Sequence, residues 1–181
     1  MLLLVINMIE VSANTPTIAM GGLSGCDNGI RCREVQANGL TFNCRFAGPT
    51  SVAKPGVLLL HGFPEWSSMY MDLMRALAAQ GHPSVACDQR GYSPKASPAT
   101  RGDYEYMNMV NDTWGIAAAA GLGEAFHLIG HDHGACLGWK VAGEGKRGSQ
   151  RILSYTALSI PHIDAFSAGL VGPDADRAQQ A

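Results

Sequence analysis

Apolar and polar positions along this chain change period several times, and each change marks an element. From Arg33 onward, Glu34-Val35-Gln36-Ala37 and Leu40-Thr41-Phe42-Asn43-Cys44-Arg45-Phe46 flank Asn38-Gly39. Asn-Gly accepts the positive φ angles of a two-residue hairpin turn, so the pattern predicts two antiparallel strands. Val57-Leu58-Leu59-Leu60 follows Lys54-Pro55-Gly56 as an unbroken apolar run, which suits a strand buried on both faces. Ser84–Cys87, Phe126–Ile129 and Ile152–Ile160 read as further strands. Between them the spacing lengthens to that of helices. Ser67 or Ser68 is placed to cap a helix with apolar positions Met69, Leu73, Ala76 and Leu77, ended by Gly81 and Pro83. Asp103 is placed to cap a second, with Met107, Val110, Trp114, Ala117 and Ala118 inward and Gly115 weakening it by about 1 kcal/mol. A third carries Ala135, Gly138 and Ala142 on one face and ends near Gly143 and Gly145. Strands alternating with helices predict βαβ crossovers and a mostly parallel sheet.

Composition narrows the function classes. With 181 residues, 46% hydrophobic and 15% charged, the chain has material for one domain with a sizeable core. A net charge of -2 and the lack of a polybasic run give no footprint for nucleic acid or an acidic membrane, which leaves a small molecule as the expected partner. Gly121-Leu122-Gly123 does not extend to GxGxxG and no Walker motif occurs, so no cofactor is expected. The five cysteines are odd in number and lack a paired CxxC spacing. This argues against a disulfide framework or zinc ribbon and makes Cys87 and Cys136 expected buried thiols. Residues 1–32, rich in Ser, Asn, Thr and Gly, read as a poorly ordered extension. The apolar run Met1 to Ile9 before Val11-Ser12-Ala13 loosely matches a signal peptide. It lacks a preceding Lys or Arg and is interrupted by Asn7 and Glu10, so a cytoplasmic location is the expectation.

The candidate chemistry lies in Phe126-His127-Leu128-Ile129-Gly130-His131-Asp132-His133-Gly134-Ala135. An apolar strand enters a Gly-x-Asp-x-Gly turn and leaves as a small-residue helix. That is the shape of a nucleophile elbow, in which the central side chain stands on a strained turn and flanking glycines remove clashes. Here the apex is an acid. A carboxylate with an ordinary pKa near 4 is already ionised at neutral pH and attacks without a base removing a proton. The helix that follows turns its positive end toward that charge. Attack on an acyl carbonyl would give an easily reversed anhydride, so the productive target is a saturated carbon bearing a leaving group. Two other readings stand beside this one: an Asp that only stabilises a turn, and His131, Asp132 and His133 as metal ligands, for which no third His or Cys lies at a ligand spacing. No metal is therefore expected.

With the hairpin, HGFPE (His61 to Glu65), DQRGYSP (Asp88 to Pro94), GHDHGA (Gly130 to Ala135) and SIPH (Ser159 to His162) in one order, the sequence resembles the α/β-hydrolase fold. Within it the chain looks most like the epoxide hydrolase and haloalkane dehalogenase branch, over about residues 33 to 170. The resemblance implies Asp132 as nucleophile and a cis peptide before Pro64. It also implies an oxyanion hole made by the backbone amides of Phe63 and His133, with His61, Gly62, Pro64, Gly130 and Gly134 as motif support. The substrate implied is an epoxide or other electrophilic sp³ carbon, attacked to give an alkyl ester that water must then hydrolyse. Dehalogenases of the branch carry a halide-binding Trp after the nucleophile, where this chain has His133, which favours epoxide over halide chemistry. His61 is expected to be a hydrogen-bonded structural residue, and Asp88 and Arg90 to tie the loop after their strand.

The family's second step needs an acid and a His placed after late strands, beyond a helical cap. The expected domain plan is a 1–32 extension, a 33–165 partial core and a 166–181 start of the cap, truncated before the cap and last strands, with no turnover. His162 and Asp164 fall at the cap entrance and are expected to be structural or hinge residues. A non-catalytic binding protein that keeps the fold is the alternative. Trp66, Trp114 and Trp139 are expected in core packing.

Overall fold

A computed structural model describes Cys26, residues 28–50 and residues 53–171. The expected extension therefore falls mostly outside the described residues, as does the 172–181 part of the expected cap. Among the described residues six strands form one sheet in the order β1-β2-β4-β3-β5-β6. β1 (Arg31–Ala37) and β2 (Leu40–Ala47) make the hairpin, with Ala37 opposite Leu40 across Asn38-Gly39, whose φ angles are 49° and 75°. β1 begins at Arg31, two residues before the sequence pattern suggested. β2 pairs antiparallel with β4 (Ser84–Cys87), whereas β3 (Val57–Leu60) pairs parallel with both β4 and β5 (Phe126–His131), and β5 pairs parallel with β6 (Ile152–Leu158). Among the described residues no helix is long and apolar enough to cross a membrane.

The unbroken apolar run of β3 has its physical reason in two cores. Leu58 and Leu60 join Phe42, Trp114, Phe126, Leu128 and Leu137 on one face, while Val57 and Leu59 join Tyr70, Met74 and Ala86 on the other. All four β3 side chains are buried, each contributing roughly 1.5–3 kcal/mol. The first core is covered by α2 (Tyr106–Ala119) and α3 (His133–Ala142), the second by α1 (Met71–Ala79). Close approach explains two glycines inside helices. A Cβ on Gly115 of α2 would sit 3.0 Å from Ala37 Cβ of β1, and one on Gly138 of α3 would lie 2.5 Å from the Tyr155 ring of β6.

Several local expectations are corrected. Neither Ser67 nor Ser68 caps α1: Ser67–Tyr70 is a 3-10 turn, and the Ser67 hydroxyl is buried against Asp88. The face of α1 is also rotated, since Met74 is fully buried while Met69 and Leu73 are exposed. Asp103 caps nothing. It lies in a 3-10 turn, Arg101–Tyr104, accepts a hydrogen bond from Thr100, and α2 starts after Glu105. Met107 and Ala118 face solvent, and Met109, Thr113 and Ile116 take inward positions instead. Trp114 is core, whereas Trp66 and Trp139 are half-buried at the edges of the sheet's packing.

The largest correction concerns cysteine. Cys44 and Cys87 are directly opposite on β2 and β4 and are joined as a disulfide, as are Cys26 and Cys32. Cys87 is therefore not a thiol, and Cys136, half-buried, is the free cysteine. Spacing along the chain could not reveal a bridge made by strand register.

At the far edge the character changes. Among the described residues β6 has one sheet neighbour, β5, and it exposes Leu153 and Leu158. The last described helix, α5 (Ile163–Val171), buries none of its residues and leaves Ile163, Phe166 and Val171 exposed. Ahead of β6, α4 (Gly145–Arg151) connects α3 to the strand.

Candidate active site

Asp132 stands between the end of β5 and the start of α3 with φ 52° and ψ -119°. A non-glycine residue pays for such a backbone, of order 1–3 kcal/mol, and it persists only where its surroundings impose it. Those surroundings are the glycines. A Cβ on Gly134 would lie 2.2 Å from the Leu60 carbonyl oxygen, and one on Gly130 would lie 2.4 Å from the Gly134 carbonyl oxygen. Gly62 plays the same part from the opposite loop, because a Cβ there would lie 2.6 Å from Asp132 Cβ. The loop after β3 can thus press onto the apex of the turn.

That contact sets the electrostatics. The Phe63 backbone N–H donates to Asp132 Oδ1 at 2.9 Å, and the His133 backbone amide also hydrogen-bonds the carboxylate. These two amides hold the Asp132 pKa below the ordinary carboxylate value, assisted by the nearby His131 and His133 side chains and opposed by partial desolvation. The residues that sequence comparison of motifs brings together, Phe63, Asp132 and His133, are therefore brought together in space. The Phe63-Pro64 peptide is cis.

The loop itself is held by buried polar groups. His61 is 1% exposed; the Gln89 N–H donates to its Nε2 at 2.9 Å, so Nδ1 carries the proton and donates to the Gly62 carbonyl at 2.9 Å. Burial pushes its pKa down, which keeps it neutral and structural. Asp88 and Arg90 do tie the following loop, though to distant partners rather than to each other. Asp88 accepts from the Ser67 amide and hydroxyl and pairs with Arg45 at 3.4 Å. Arg90 makes a two-pronged pair with Asp112 of α2, 2.7 Å on each side, and Asn38 of the hairpin turn donates to the same carboxylate.

Three features had no clear sequence signal. Glu65 pairs with His131 Nδ1 at 2.9 Å, so the two halves of separate motifs meet beside the apex. Tyr92 is close enough for the Asp132 charge to raise its pKa, after burial as the main cause. Tyr106 stacks on the His133 ring at 5.5 Å, and burial and the neighbouring Cys136 raise its pKa. His131 and His133 thus turn to different neighbours, and among the described residues no three His, Cys, Asp or Glu side chains converge. A cleft of about 370 Å³ opens beside the apex, bounded by Phe63, Tyr92, Tyr104, Met109 and His133. His162 and Asp164 lie away from it; the His162 ring meets Trp139 edge-on, and its carbonyl accepts from Phe166 at the start of α5.

Residues 55–177 match the family model described as alpha/beta hydrolase fold. The chain belongs to the α/β-hydrolase family. Within that family it is epoxide-hydrolase-like. It is 30% identical over 140 residues to an epoxide hydrolase of Caballeronia sordidicola, covering 77% of this chain and 40% of that protein. The crystal structure of an epoxide hydrolase from Vigna radiata superposes with a TM-score of 0.67 at 31% identity, over 74% of this chain and 39% of that one. Epoxide hydrolase A from Mycobacterium thermoresistibile gives 0.67 at 31% identity, over 80% and 46%. This α/β-hydrolase chain thus spans about two fifths of the length of the curated relative it matches.

Proposed function

We propose that this chain carries the alkylation half of an epoxide-hydrolase-type reaction, with Asp132 as nucleophile and a neutral small epoxide, or another electrophilic saturated carbon, as substrate. The observation that supports this most directly is the pair of amides, Phe63 and His133, directed at the Asp132 carboxylate. In the free protein they hold the charge. After ester formation, the same two donors are suited to stabilise the oxyanion that forms when water attacks the ester carbonyl. Asp132 attacks the less hindered epoxide carbon, a C–O ester bond forms, the ring C–O bond breaks, and the oxygen leaves as an alkoxide that takes up a proton.

The second step needs a base. Among the described residues no imidazole is hydrogen-bonded to Asp132, and His131 is engaged through Nδ1 by Glu65. The expected outcome for this chain is a single lasting adduct rather than turnover. Incubation with styrene oxide followed by intact-mass measurement tests the proposal: one added epoxide mass in the wild type and none in Asp132→Ala supports it. Equal adduct on both proteins rejects it.

A non-catalytic binding role has its own support in the exposed apolar residues of β6 and α5, a sheet edge where another strand can pair. Monomeric behaviour at high concentration, with β6 amides protected from exchange, would count against that reading.

A further inference from the structure

The cleft beside Asp132 is walled mostly by carbon, because most of its polar side chains are committed elsewhere. Arg90 is taken by Asp112 through two 2.7 Å hydrogen bonds. The Gln89 side-chain amide donates to the His61 carbonyl at 2.6 Å, and both ring nitrogens of His61 are occupied. The Tyr104 hydroxyl donates to the Pro98 carbonyl at 2.9 Å. Among the described residues, that leaves Tyr92 and His133 as the polar side chains of the cleft without a hydrogen bond. With Arg90 neutralised, no guanidinium is free to hold an anionic substituent, and shape decides what fits.

One wall of the cleft comes from outside the motifs that make the elbow. Tyr104 ends the 3-10 turn Arg101–Tyr104 ahead of α2, is 36% exposed, and lines the cleft. Its ring lies across Gly91, where a Cβ would come within 3.0 Å of Tyr104 Cε1. Gly91 stands at φ 90°, a backbone that residues with side chains rarely adopt. The turn is braced as well. The Thr100 hydroxyl donates to the Asp103 carboxylate at 2.5 Å, and the Asn108 side-chain amide of α2 donates to the Gly102 and Asp103 carbonyls at 3.3 and 3.2 Å. A ring seated on bare backbone, with its hydroxyl tied down, has little freedom to swing away.

We propose that Tyr104 is the specificity-determining wall of this cleft, and that the cleft takes an epoxide substituent no larger than one aromatic ring or a short alkyl chain. This rests on Asp132 being the nucleophile, and it adds the size of the substrate. Phe63 and His133 join the cleft to the nucleophile, since their amides bond its carboxylate, whereas the described contacts of Tyr104 run to Gly91 and Pro98. A substituent extending from the reacting carbon passes Phe63 and His133 and then meets the Tyr104 ring. The volume of about 370 Å³ lies near the lower end of ligand pockets, which run from roughly 300 to 1,000 Å³. One aryl ring gains contact with Phe63, Met109 and Tyr104. A second, fused ring needs the space that Tyr104 fills.

The test times labelling of the Asp132 peptide by terminal epoxides that differ only in their substituent: propylene oxide, styrene oxide and 2-naphthyloxirane. Each variant's rates with the larger reagents are divided by its own rate with propylene oxide, which removes any change in the nucleophile itself. In Tyr104→Ala the relative rate with 2-naphthyloxirane is expected to rise at least about tenfold, the low end of what one apolar group is worth in a hydrophobic pocket. In Tyr104→Trp the relative rate with styrene oxide should fall by a similar factor, and Tyr104→Phe, which keeps a ring on Gly91, should keep the wild-type pattern. Relative rates within about twofold of wild type in both Tyr104→Ala and Tyr104→Trp overturn the assignment. Absence of label on Asp132 from propylene oxide in the wild type overturns the nucleophile reading beneath it.

Discussion

The elbow and the outer edge of the sheet are made from similar residue types and are held in opposite ways. At the elbow, backbone approaches backbone so closely that Gly62, Gly130 and Gly134 cannot carry a side chain, and buried ion pairs brace the loops on either side. At the edge, β6 and α5 leave Leu153, Phe166 and Val171 open to solvent. Apolar content alone does not specify a structure; what differs is how many independent contacts constrain each residue. A strained Asp with its carboxylate under two amides persists only in the first environment.

The contrast can be broken most severely at Asp112. Asp112→Ala leaves the Arg90 guanidinium buried without its partner, and a loss of about 3–5 kcal/mol is expected in urea unfolding. Gly134→Ala forces a methyl group against the Leu60 carbonyl oxygen and should cost on the order of 3 kcal/mol by the same measurement, abolishing Asp132 labelling. Reduction of the Cys44–Cys87 and Cys26–Cys32 bridges should lower the unfolding midpoint by the equivalent of about 2–4 kcal/mol per bridge. Before reduction, thiol titration of the denatured chain should find one free cysteine, Cys136. At the edge, Leu153→Ser should change stability by only about 0.5 kcal/mol, because that side chain is already half exposed.

The elbow also predicts a pH signature that the edge lacks. Asp132 has a folded-state pKa below its unfolded value. Its contribution to stability is therefore full above the ordinary carboxylate range near 4 and is lost as pH falls through the lower folded-state value. Benzyl bromide labelling of Asp132, which needs the carboxylate but no proton donor, should likewise decline at a lower pH than an ordinary carboxylate would.

Much of this contrast was legible in the sequence, and the limits have physical causes. Asn38-Gly39, the VLLL run and the Gly-x-Asp-x-Gly turn each dictate a local backbone, and each forms where expected. The faces of α1 and α2 were misread because Met69, Leu73, Met107 and Ala118 fit an apolar period as well as the residues that are buried. Tertiary packing, not periodicity, chose between them. The Cys44–Cys87 bridge, the Arg90–Asp112 pair and the meeting of Glu65 with His131 all join residues far apart in the chain, where only register and loop position bring them together. The same holds for the cleft around His133, since nothing in GHDHGA indicates that Tyr106 stacks on its imidazole.

The central claim is that Asp132 is a nucleophile. Peptide mapping after exposure to styrene oxide measures it most directly. The account predicts one ester-linked adduct, confined to the peptide carrying Asp132 and released by mild alkali. An adduct found instead on Cys136 or a histidine, with the Asp132 peptide unmodified, would contradict it.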